Sequence, residues 1–187
     1  MPSGGRPPPQ IVTLSIVFDD NGDEGVVSLA DGLRRGRLPS LHVLQLADAH
    51  LGPQGATALA PALTKRALPS LQWISLDSNP LGDAGLAALL PALRQLPTLK
   101  KLYLSETNIG DEGVASLVAQ PTAGALKSLA LLDVSANEIT DAGCTTLATA
   151  LRGPTAVDFV FSIVRATAPG EPDRAVTIHN RYHYCAL

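Results

Sequence analysis

Four aspartates, Asp23, Asp83, Asp111 and Asp141, recur at one position of a repeating pattern. Such a row could be a ladder of carboxylates that binds calcium or works as paired acids. Each one, however, stands where a helix is expected to begin, so its carboxylate can accept from free backbone N–H groups and complement the helix dipole. Capping is the expected role. Pro53 holds the same position in one unit, which suits a helix start and interrupts any ladder.

The glycines invite a second chemistry. Gly22, Gly52, Gly82 and Gly110, followed by Gly25, Gly55, Gly85 and Gly113, with Gly143 in the last unit, make a G-x-x-G turn that superficially suits a phosphate. No Gly-Lys-Ser or Gly-Lys-Thr follows any of them, and their recurrence points to a tight turn packed closely on the next coil. His179, His183 and Cys185 could form a three-ligand metal corner, but no fourth ligand or glutamate accompanies them, and solvated tail residues are the default reading. The four histidines, at 42, 50, 179 and 183, lie near no recognisable serine or cysteine motif. The chain is therefore expected not to be an enzyme and to need no cofactor or metal.

The remaining candidates are binding residues. They are Trp73 and Tyr103 as anchors, with Asp77, Lys101, Glu106, Asp133, Asp48 and Gln45 supplying charge and polarity around them. Aromatics make up only 4% of the chain, so its sole Trp and one of its three Tyr on a shared wall are informative. Val17 and Phe18 either join that wall or fold under the N-terminus as part of a cap.

The elements that position these residues follow from periodicity. Ile11, Leu41, Leu71, Leu99 and Leu129 are spaced 28 to 30 residues apart. Apolar residues follow each at three and five positions on: Leu14/Ile16, Leu44/Leu46, Ile74/Leu76, Leu102/Leu104 and Leu132/Val134. Residues two apart share one face of a strand, so each unit opens with a short strand whose alternate side chains enter a core. A turn follows, then a helix with apolar residues at offsets of three, four and seven, as in Leu86, Leu89, Leu90 and Leu93. The same stripe reads Val26, Leu29, Ala30, Leu33, then Ala56, Leu59, Ala60, Leu63, and finally Cys144, Leu147, Ala148, Leu151, with Cys144 as an inert core thiol. Leu38-Pro39-Ser40, Leu68-Pro69-Ser70 and Leu96-Pro97-Thr98 return the chain to the next strand.

One strand and one helix cannot bury their own apolar faces, but stacked copies bury a continuous one. Close-packed strands on one side and bulkier helices on the other curve the stack into a short horseshoe, an α/β solenoid with parallel strands on the concave side and helices on the convex side. The outward strand positions then form the concave wall, in columns such as Thr13, Val43, Trp73, Lys101, Leu131 and Ser15, Gln45, Ser75, Tyr103, Asp133. Two further columns run Val17, Ala47, Asp77, Ser105, Ser135 and Phe18, Asp48, Ser78, Glu106, Ala136. The turn position Asp19, Ala49, Asn79, Thr107, Asn137 should hold inward polar groups bonded to neighbouring turns, with a looser turn at Ala49, where water would substitute.

The run from Leu71 to Gly85, Leu-Gln-Trp-Ile-Ser-Leu-Asp-Ser-Asn-Pro-Leu-Gly-Asp-Ala-Gly, resembles the leucine-rich repeat of the ribonuclease-inhibitor subtype. That subtype also occurs in Ran GTPase-activating proteins and in the sensor regions of NOD-like receptors. The resemblance implies a protein-binding solenoid, with regulation of a small GTPase, or a place in a larger NOD-like sensor, as alternatives.

Five units are expected, at 11–40, 41–70, 71–98, 99–128 and 129–155, after a disordered Pro/Gly-rich lead-in at 1–10. Residues 156–187 read as an irregular tail or degenerate cap, in which Ala156, Phe159 and Phe161 imitate a further strand and 176–184 could pair as an edge strand. By this reading the array either continues in a longer protein or self-associates through its uncapped C-terminal end.

Composition narrows the partners. The 187 residues are 45% hydrophobic with a net charge of −3, which suits a folded core and argues against nucleic acid. No apolar run approaches the roughly 18 residues that would span a bilayer, so the chain reads as soluble and no membrane role is expected. Two cysteines suit a reducing, cytoplasmic setting better than an oxidising one. A protein partner on the concave face is the expected function.

Overall fold

The computed structural model describes residues 11–16, 22–36, 38–119, 129–151, 160–164 and 175–179. Five strand–helix units follow one another: β1 (Thr13–Ser15) and α1 (Gly22–Gly36), β2 (Val43–Gln45) and α2 (Pro53–Leu59), β3 (Trp73–Ser75) and α3 (Gly82–Leu93), β4 (Lys101–Tyr103) and α4 (Asp111–Val118), β5 (Leu131–Asp133) and α5 (Asp141–Leu151). A 3-10 turn, Ala60–Ala62, extends α2. Two more strands, β6 (Val160–Val164) and β7 (Ala175–His179), close the order.

The strands form one sheet in chain order, parallel from β1 to β6, with β7 antiparallel at the edge. Register is in phase with the repeat, pairing Leu14 with Leu44, Leu44 with Ile74, Ile74 with Leu102 and Leu102 with Leu132. Helices contact helices of adjacent units just as strands contact strands, so the array has a strand layer and a helix layer with the core between them. The structure is thus the expected α/β solenoid.

Burial follows the apolar pattern. Leu44, Leu46, Ile74, Leu76, Leu102 and Leu104 are fully buried from the strand side, and Val26, Leu59, Leu86, Leu89, Leu93, Val114 and Leu147 from the helix side. At roughly 1.5–3 kcal/mol for each such side chain, the core offsets chain ordering only because each unit covers its neighbour. The first unit departs from the pattern: Ile11, aligned with the buried Leu41, Leu71, Leu99 and Leu129, is 50% exposed. Leu14 and Ile16 are only partly buried, since among the described residues the first unit is covered by the second alone.

Three hydrogen-bonding devices lock successive units. Each Leu-Pro-Ser/Thr-Leu junction is a tight turn in which the last N–H donates to the first carbonyl, as Leu41 to Leu38 and Leu71 to Leu68. Asn79 is buried and works on two units at once. Its Oδ1 accepts from Ala49 and Leu51 N–H at 3.0 and 2.9 Å, while its Nδ2 donates to the carbonyls of Leu46 and Leu76. The turn at Ala49 is therefore not loose: Ala49 is fully buried and its N–H is held by the asparagine of the following unit. Asn137 repeats the arrangement with Thr107 and Ile109, while Thr107 turns its own hydroxyl to the Leu104 carbonyl.

The aspartate row is the third device, and here the expectation needs correcting. The four carboxylates lie in the first turns of their own helices, but those of Asp23, Asp83 and Asp111 accept from the helix start of the next unit. Asp23 accepts from Gly52 and Gly55, Asp83 from Gly110, and Asp111 from Thr140. The reason is geometric, since stacked helices place one N-terminus beside the next and a short aspartate reaches across more directly than back. Pro53 breaks the row. At that junction Gly82 takes a left-handed backbone, φ +60°, and donates forward to the Thr107 carbonyl.

Candidate functional site

Outward strand positions of β2 to β5 form one face of the sheet, on which Lys101 is exposed, Val43, Gln45, Leu131 and Asp133 are partly buried, and Ser75, expected to face outward, is buried. Trp73 on β3 and Tyr103 on the neighbouring β4 are both half-buried there. They are offset by one pleat, because Trp73 pairs with Lys101 while Tyr103 pairs with Ser75. That diagonal brings the rings to 5.5 Å between centroids at 39°, a tilted contact of the kind aromatic quadrupoles favour. Lys101, exposed and directly opposite Trp73, holds its Nζ 5.3 Å from the indole centroid.

The carboxylates collect at the other end of the strands. Asp77 accepts from the Ser105 N–H and from the Ser75 hydroxyl, each at 2.8 Å. Burial pushes its pKa above the ordinary carboxylate value, the two hydrogen bonds oppose this, and repulsion from Asp133 and Glu106 adds to it. Asp133 accepts from the Ser135 N–H and hydroxyl. Tyr103 has its pKa raised by burial first, then by Asp133 and Asp77. Among the described residues the ion pairs are those of Asp31 with Arg34 and Arg35 on α1, so none of the wall carboxylates is paired with a cation.

Of the eight residues singled out from sequence, Trp73, Lys101 and Tyr103 touch one another, and Asp77, Glu106 and Asp133 share one electrostatic field. Gln45 sits half-buried on β2 in the column of Tyr103, paired with Ser75. Asp48 and Glu106 are not strand residues. With Ser78 and Ala136 they occupy a left-handed turn beyond the three-residue strands, at φ between 52° and 56°. Local alternation cannot distinguish a fourth outward position from a turn, which is why they read as a strand column. Val17, Phe18, Asp19, His183 and Cys185 lie outside the described residues.

The sequence reading passed over His42, Gln72 and Lys100. With Val43, Trp73 and Lys101 they line a shallow depression of about 160 Å³ where the strands begin. They occupy one repeat position, immediately before the strand, and a fifth column drawn there would have found them. Among the described residues no group of three or more His, Cys, Asp or Glu is arranged to hold a metal, and no helix is long and apolar enough to cross a membrane.

Comparison with known proteins bears on the same architecture. The family model described as Leucine Rich repeat matches residues 37–60, 67–90, 95–118 and 126–148, together about half of the chain. Comparison with curated proteins gives no match. Among solved structures, the chain is similar to leiomodin-1 actin-binding site 2, at a TM-score of 0.55 and 18% identity, over 75% of this chain and 78% of that one. It is also similar to a protein of Bacteroides fragilis, at 0.50 and 18%, over 74% of this chain and 38% of that one. At these identities the likeness is one of fold.

Proposed function

The chain belongs to the leucine-rich repeat family, and from that premise we propose that it is a non-enzymatic binding module whose concave strand wall grips a protein partner. The observation that carries this reading is the Trp73–Tyr103 pair, two aromatics in mutual contact on the outward face of the sheet. Aromatic side chains lose little conformational entropy when covered, and their half-burial leaves the remaining surface for a partner. Asp77, Glu106 and Asp133 on one side and Lys101 on the other supply charge selectivity, with Gln45 and Asp48 at the margin.

The ribonuclease-inhibitor subtype is supported by the spacing of 28 to 30 residues and by a helix in every unit. A cytoplasmic setting accords with the two cysteines. Self-association would act at β7, which has no strand on its outer side among the described residues. Light scattering on the purified chain tests it, and a strictly monomeric particle would remove it.

The test of the main reading is partner capture by the Trp73→Ala/Tyr103→Ala double variant. Capture should be abolished with the circular dichroism spectrum unchanged; full capture would remove the proposal. A GTP-hydrolysis assay with small GTPases separates this module from a GTPase activator, since binding without stimulated hydrolysis is the expected result.

A further inference from the structure

Deepening the reading of the strand wall, on which it rests, we infer that the depression at the strand entrance receives a carboxylate side chain of the protein partner. Its lining offers donors and cations. Lys100 and Lys101 are both exposed, and neither is in an ion pair among the described residues. Trp73 contributes its ring, over which the Lys101 Nζ is held 5.3 Å from the centroid, so one of the two cations is already positioned beside the depression.

The backbone acceptors nearby are already in use. The Gln72 carbonyl receives the N–H groups of Lys100 and Lys101, and the His42 carbonyl those of Gln72 and Trp73. His42 has Nδ1 2.7 Å from the Ser40 carbonyl, so this nitrogen carries the proton and donates. What the depression lacks is an anionic acceptor. Its volume of about 160 Å³ admits one side chain and no folded element, and the indole ring and Val43 suit the methylenes of a glutamate.

Charge along the wall favours the same occupant. Asp77 lies four residues beyond Trp73, about 13 Å along an extended strand, farther than the roughly 8 Å screening length at physiological salt. Its repulsion therefore reaches the depression weakly. The wall is polarised, with cations where the strands begin and carboxylates where they end. A partner segment whose acidic residue occupies the depression is thereby also oriented, because the reverse placement would set that acid against Asp77 and Asp133.

Trp73 is the chain's sole tryptophan, so its emission reports on this site. The probe is a glutamate-rich synthetic peptide, titrated to millimolar concentration beside its glutamine counterpart. A saturable emission change with the glutamate peptide, absent with the glutamine one and weakened at least tenfold by Lys100→Ala/Lys101→Ala, is the expected result. No change with the intact chain, an equal change without the lysines, or a response to inorganic phosphate in place of the peptide would each overturn the inference. If Trp73→Ala/Tyr103→Ala loses partner capture while the lysine variant captures at full strength, the wall reading survives and this one fails. If the glutamate peptide binds but capture ignores Trp73 and Tyr103, the wall reading fails alone.

Discussion

Asp83 of the third unit and Gly113 of the fourth are matched in shape: a Cβ added to Gly113 would stand 2.4 Å from the Asp83 Oδ1 atom. The same oxygen accepts from the Gly110 N–H at 2.7 Å. The relationship recurs between Asp23 and Gly55 and between Asp111 and Gly143, at 2.3 and 2.2 Å. An aspartate and a glycine one repeat apart are therefore one device, a carboxylate seated against the helix start of its neighbour.

Gly113→Ala should destabilise the chain by about 1–3 kcal/mol, because the added methyl group runs into the Asp83 carboxylate and stands only 2.8 Å from a methyl of Ile109. The double variant with Asp83→Ala should cost less than the two single losses combined, since each change removes part of the other's penalty. Urea denaturation of the four proteins measures the coupling, and additive losses would refute the matched pair.

Gly82→Ala should also destabilise, by about 1–2 kcal/mol, for a different reason. Here the nearest atom to an added Cβ is the Asn108 carbonyl oxygen at 4.0 Å, so space is open and only the left-handed backbone penalises the substitution. Gly82→Asn, which tolerates that conformation better, should recover part of the loss in the same measurement.

Asn79→Ala should cost at least about 3 kcal/mol, because it strips buried N–H and carbonyl groups of two units of their partner at once. Asn137→Ala removes an equivalent set, yet should cost less, since Asn137 is only partly buried and water can replace the lost bonds. Equal losses on chemical denaturation would count against this ranking.

Asp77 titrates with a raised pKa in the folded chain, so the folded state binds its proton more tightly than the unfolded state does. Its contribution to stability is present at low pH and is lost as pH rises from the ordinary carboxylate value through the folded one. Asp77→Asn should remove that decline while keeping the acceptor for Ser105. Thermal melts of both proteins from pH 3 to 7 should show the variant gaining on the parent as pH rises; parallel curves would exclude the effect.

Much of the fold was legible beforehand because its causes are local. Leu44 and Leu46, or Leu86, Leu89 and Leu90, announce a strand face and a helix face through spacings of two and of three to four residues. Recurrence every 28 to 30 residues then requires stacking, and Trp73 and Tyr103 could be assigned to one wall by counting along two strands. What the spacing could not decide was how neighbouring units meet. That Asp83 reaches forward to Gly110, that Asn79 serves the turn at Ala49 and that Trp73 leans on Tyr103 all depend on offsets between segments 27 to 30 residues apart. Alternation along one segment contains no information about those offsets. They are set by the joint packing of both layers, and so only the tertiary structure decided them.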